Sequence, residues 1–90
     1  MKMMTIEVLK DHGEGRFEIA GRCCRDPICI GDELCVSDAP RGLVRVVGIE
    51  VYHRNVDCLH QGYVGTLFVQ LVEGGAPRLD GMLVSDADGL

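Results

Sequence analysis

Gly15-Arg16-Phe17-Glu18-Ile19-Ala20-Gly21-Arg22 and, a few residues on, Ile30-Gly31-Asp32-Glu33-Leu34-Cys35-Val36 decide the fold of this chain. In the first stretch Phe17, Ile19, Gly21 and Cys23 alternate with Glu18, Ala20 and Arg22, a period of two that predicts a strand with one buried face. Pro27 and Gly31 then break the chain, and Leu34 with Val36 resume the same period. Strand, glycine-arginine corner, glycine-aspartate turn and strand follow one another with no room for a helix.

Working outward, Ile6 and Val8 flank Glu7 and predict a strand before the turn Asp11-His12-Gly13-Glu14-Gly15. Asp38-Ala39-Pro40-Arg41-Gly42 reads as a loop. From Leu43 to Tyr52 the parity slips: Val44 and Val46 fall on one face, whereas Val47, Ile49 and Val51 fall on the other. A bulge near Val47-Gly48 reconciles the two halves. Leu67, Val69 and Leu71 form a further strand, and a last one is expected to carry Leu79, Leu83 and Val84 after the turn at Glu73-Gly74-Gly75-Ala76-Pro77. Many short strands and twelve glycines predict an all-β protein, a small closed antiparallel Greek-key-like barrel of about six or seven strands. Residues 1–90 are expected to form one domain, with 85–90 as a polar tail.

This order of motifs, over about residues 15–84, resembles the β-barrel second domain of elongation factor Tu and related translational GTPases. The residues that carry the resemblance are Gly21-Arg22, Gly31-Asp32-Glu33-Leu34, Gly48-Ile49-Glu50, Gly62-Tyr63-Val64-Gly65 and Gly81-Met82-Leu83. The resemblance implies a barrel and no chemistry. Translational GTPases carry a glycine-rich phosphate loop in a preceding domain, and these residues contain none, so the expectation is a stand-alone module that does not hydrolyse nucleotide. In the Tu factor this domain contacts the aminoacylated end of transfer RNA, but those contact residues have no one-to-one matches here.

Charge narrows the partners. A net charge of −5 and a pI near 5.0 argue against general affinity for a phosphate backbone. Arg16, Arg22, Arg25, Arg41, Arg45 and Arg54 would have to converge on one face to make an RNA site. The N-terminal residues lack the apolar run of an export signal and no segment has the length of a membrane span, so the expectation is a cytoplasmic protein.

Five cysteines, Cys23, Cys24, Cys29, Cys35 and Cys58, are an odd number, and with no export signal the expectation is five reduced, metal-free thiols. Their spacings lack the close Cys-x2-Cys pairs of structural zinc sites, so Cys58 and His60 are not assigned as ligands. Alternation sends Cys23 inward and Cys24 outward. Ser37, Ser85, His12, His53 and Asp57 form no hydrolytic pattern, and Asp80, Asp86 and Asp88 read as solvated carboxylates. No catalytic, cofactor-binding or metal residue is therefore assigned, and the protein is not expected to be an enzyme. Tyr52, His53, Tyr63 and Phe68 are the candidate partner-binding residues, because large amphipathic rings concentrate at interfaces. The preferred function is a non-catalytic binding module for another protein. The alternative is a translation-associated RNA-binding module, and the third reading is a cysteine/histidine metal-binding protein or small enzyme.

Overall fold

A computed structural model describes residues 1–37 and 41–85. Of the loop expected at 38–42, Asp38, Ala39 and Pro40 lie outside the described residues, as do 86–90 of the expected tail, with Asp86 and Asp88; Gly42 already belongs to a strand, and Ser85, expected in the polar tail, is buried in the last strand. Among those described, the strands are β1 (Met3–Thr5), β2 (Val8–Gly13), β3 (Arg16–Arg22), β4 (Ile28–Cys29), β5 (Glu33–Val36), β6 (Gly42–Val51), β7 (Arg54–Asn55), β8 (Cys58–Leu59), β9 (Val64–Gly74) and β10 (Met82–Ser85).

Seven strands lie on the path β1-β10-β5-β6-β9-β3-β2, every neighbour antiparallel, with β7 paired to β6; β4 and β8 form a separate ribbon. The sheet curls until β1 returns to the end of β3. There Met4 and Cys23 make an isolated bridge, and the Cys24 N–H donates to the Met3 carbonyl at 2.8 Å. The expected barrel is thus a strongly curled sheet joined at one bridge rather than along a full ladder, and β2 extends beyond the joint as a hairpin on β3.

Gly21 is what lets the ends meet. A Cβ there would sit 1.9 Å from the Thr5 carbonyl oxygen, so only glycine admits the backbone of β1 so close to β3. The next residue fastens the joint: the Arg22 N–H donates to Thr5 Oγ1 at 2.9 Å, and its guanidinium reaches the Gly62 carbonyl at 2.5 Å. The glycine-arginine corner of the sequence is this crossing.

The period of two places the core. Phe17, Ile19, Leu34, Val36, Val44, Val46, Leu67, Val69 and Leu83 point inward and are buried with Met4, Ile6, Ile28 and Leu59. The β6 bulge falls where parity demands it. Register with β9 shifts between Val46 and Gly48, so Val44, Val46 and Ile49 all face the core while Val47 is turned out. Asp32 locks the turn before β5: its Oδ2 accepts the Cys29 N–H at 2.7 Å and the Lys2 ammonium at 2.5 Å.

Several strand limits differ from expectation: β2 runs on to Gly13, β6 begins at Gly42 and β9 continues to Gly74. Ile6 is buried but Val8 is exposed, because the chain leaves β1 at Thr5 and re-enters a strand only at Val8, where the face has reversed. Leu79 is exposed and lies before β10, the chain turning at Asp80 with φ 67°.

A larger correction concerns the thiols. Cys29 and Cys58 are joined by a disulfide, while Cys23, Cys24 and Cys35 are free. The two joined residues are directly opposite in the β4–β8 ribbon. Parity of the cysteine count carries no information on register, and register brings this pair together across 29 residues.

Candidate functional site

The turn between β6 and β7 consists of Tyr52 and His53 alone, since Val51 and Arg54 are already paired. Both residues have positive φ, 51° and 63°. A two-residue hairpin with left-handed backbone at both positions follows the twist of its strands, and it normally takes Asn-Gly or a similar pair. Here two ring-bearing residues occupy it. Tyr52 is 84% exposed, so no packing in the chain itself accounts for the ring.

Around this turn, Tyr52, His53, Ala20, Glu50, Val64 and Thr66 line a shallow groove of about 250 Å³. The register explains the grouping: Ala20, Thr66 and Glu50 are successive cross-strand partners on β3, β9 and β6, and Arg22 is opposite Val64 two residues along. Tyr63 lines a second cleft with Val51, Val56, Cys58, Leu59 and His60. Tyr63 is 55% exposed and Val64 50%. Tyr63 is held from behind: its N–H donates to the His60 carbonyl, and its own carbonyl accepts the Cys23 N–H at 3.0 Å. The reversal expected at Gly62-Tyr63-Val64-Gly65 lies slightly earlier, because Val64 and Gly65 already belong to β9.

Phe68 stands apart from the other three. Its ring carbons would lie 3.5–3.8 Å from a Cβ added at Gly48, so it covers the glycine of the β6 bulge. It lines a separate groove with Val47, His12, Arg16 and Glu18. Tyr52, His53 and Tyr63 therefore gather at one end of the sheet, and Phe68 has a structural task of its own. Val64 is the residue the sequence reading missed; its place between Gly62 and Gly65 suggested a turn, whereas it opens a strand with its side chain out.

The arginines do not all lie together. Arg45 is paired with Glu33 at 2.7 Å and Arg16 approaches Glu14 at 3.8 Å. These two share a cross-strand row through Gln70, whereas Arg22 is at the other end of β3. The two serines considered for catalysis accept backbone N–H groups, Ser37 Oγ from Met82 and Ser85 Oγ from Lys2. Among the described residues no three His, Cys, Asp or Glu side chains cluster as metal ligands, and Cys29 and Cys58 are held in their disulfide. Cys23 is buried and Cys24 half-buried, as alternation requires. Burial pushes the Cys23 thiol above its ordinary value, outweighing the backbone hydrogen bond from Arg25. No helix among the described residues is long and apolar enough to cross a membrane.

The curled antiparallel sheet is of the type found in the second domain of translation factors. Its coordinates superpose on translation elongation factor SelB from Methanococcus maripaludis, in the apo form, with a TM-score of 0.82 over 96% of this chain at 17% sequence identity. The chain spans 19% of that protein's length. No family model and no curated protein matches the sequence significantly. The likeness is one of fold.

Proposed function

We propose that this protein is a non-catalytic binding module, related in use to the barrel domains of translation factors, whose Tyr52-His53-Tyr63-Val64 end contacts another protein. The observation that carries this reading is the turn at Tyr52 and His53. Left-handed backbone costs an L-residue about 1–2 kcal/mol, and strain of this kind persists where something other than fold stability selects the residues. An exposed tyrosine that shares a groove with an exposed valine, with a second exposed tyrosine preceding that valine in the chain, offers contact area at low entropic cost. The net charge of −5 favours a protein over a nucleic acid. Phe68 does not belong to this surface in our reading, because its ring covers Gly48.

The test is affinity capture from cells of the source organism, comparing wild type with Tyr63→Ala and with the paired change Tyr52→Asn, His53→Gly. Proteins retained by wild type and lost with both variants support the reading. Saturable binding of transfer RNA at physiological salt, lost with the same variants, would replace the protein partner by RNA.

A further inference from the structure

We propose that the Cys29–Cys58 disulfide is a redox clamp on the aromatic end of the sheet, opened by a dithiol reductant of the thioredoxin class. The proposal rests on the reading of that end as a binding surface. Three features of the structure place the clamp there. Cys58 lines the same cleft as His60 and Tyr63, so the bond borders the surface rather than the deep core. Both of its cysteines are half-buried, whereas Cys23 and Cys35 are buried, which makes the disulfide reachable by a macromolecular thiol. The bond also joins two-residue strands that pair only with each other. It is the one covalent tie among the described residues on the segment 54–63 that links the Tyr52 turn to Tyr63.

What remains after reduction is enough to keep the segment in place but less firmly. Ile28 and Leu59 stay in the core. The Val56 N–H donates to the Ile49 carbonyl and the Ile30 N–H to the Asp57 carbonyl, at 3.0 and 2.9 Å. Loosening is therefore local, of the kind that exposes backbone amides without unfolding a domain. In the chemical step, a thiolate of the reductant attacks one sulfur of the pair, forming a mixed disulfide and expelling the other as thiolate. The second thiol of the reductant then resolves it. Two electrons and two protons pass to Cys29 and Cys58, and the reductant leaves as its own disulfide.

Thiol counting and hydrogen exchange test the clamp without a partner. Protein equilibrated in air, denatured and alkylated should show three thiols, those of Cys23, Cys24 and Cys35; after thioredoxin and its reductase it should show five. Reduction should speed amide exchange in 54–63 by roughly tenfold and leave 66–71 in β9 unchanged. The double variant Cys29→Ser, Cys58→Ser should reproduce the faster exchange without reductant. Five thiols in the air-equilibrated protein, or unchanged exchange on reduction, would overturn the proposal. Failure of the surface reading shows elsewhere, as capture unaffected by Tyr63→Ala in the oxidised protein. If capture depends on Tyr63 yet is equal in both redox states, the surface stands and the clamp falls.

Discussion

Replacing Tyr52-His53 by Asn-Gly should make the protein more stable. Each residue holds left-handed backbone, φ 51° and 63°, at about 1–2 kcal/mol for an ordinary L-residue. Asparagine tolerates that region better than most, and glycine is unstrained there. Against this, glycine loses more freedom on folding, about 0.5–1 kcal/mol. The balance for the pair is a gain of about 1–2 kcal/mol. In a chain of 90 residues this raises Tm by roughly 5–10 °C. Thermal melting by circular dichroism measures it, with urea titration to check that the slope is unchanged. Tyr52→Ala serves as control, because alanine removes the ring but keeps the strained φ; it should stay within about 0.5 kcal/mol of wild type. A paired variant that melts at or below wild type would mean that the rings stabilise the hairpin by packing. The residues would then be there for the fold, and the argument from strain to a binding surface would fail.

Other substitutions separate the frame from the surface. Gly21→Ala should cost at least about 3 kcal/mol or abolish folding, since its Cβ meets the Thr5 carbonyl oxygen at 1.9 Å; sharply reduced soluble yield or a collapsed Tm is the expected readout. Gly65→Val should destabilise by about 1–3 kcal/mol through overpacking, its Cβ lying 2.7 Å from Leu59 Cδ1 and 3.1 Å from the Glu50 carbonyl. Tyr63→Ala, by contrast, should melt within about 0.5–1 kcal/mol of wild type. Asp32→Ala removes the acceptor of the Cys29 N–H and the Lys2 ammonium and should lower stability by about 1–3 kcal/mol, seen as a shifted urea midpoint. Because burial raises the Cys23 thiol, its thiolate is disfavoured in the folded state. Iodoacetamide followed by mass spectrometry should therefore label Cys24 well before Cys23 at pH 8.

The frame of this protein was legible in its sequence because strands carry their own signature. Residues two apart share a face, so the inward set on β3, β6 and β9 can be read as a row of apolar letters, and a slip in parity marks the bulge at Val47-Gly48 without coordinates. What the alternation does not carry is which strand lies beside which. The pairing of β1 with β10, and the return of β1 to β3 over Gly21, leave only a glycine in the sequence. That glycine reads equally as a turn or as a close approach until Thr5 is found above it.

The same distinction governs the site. Tyr52, Tyr63 and Phe68 are alike as letters, each a large ring among strands, and residue type alone groups them. Register separates them: Phe68 falls opposite the bulge glycine and covers it, while Tyr52 falls in a two-residue turn where it covers nothing. The strained φ at Tyr52 and His53 has no sequence signal, because turn chemistry would have called for asparagine and glycine there. The disulfide escaped for a related reason. Cys29 and Cys58 each sit in a two-residue strand too short to show a period, and only their pairing in the ribbon brings the sulfurs together. Where local preference and observed structure agree, as through β3 and β9, the residues answer to the core. Where they disagree, as at Tyr52-His53, the fold alone does not account for the residue chosen, and it is there that a partner should be sought.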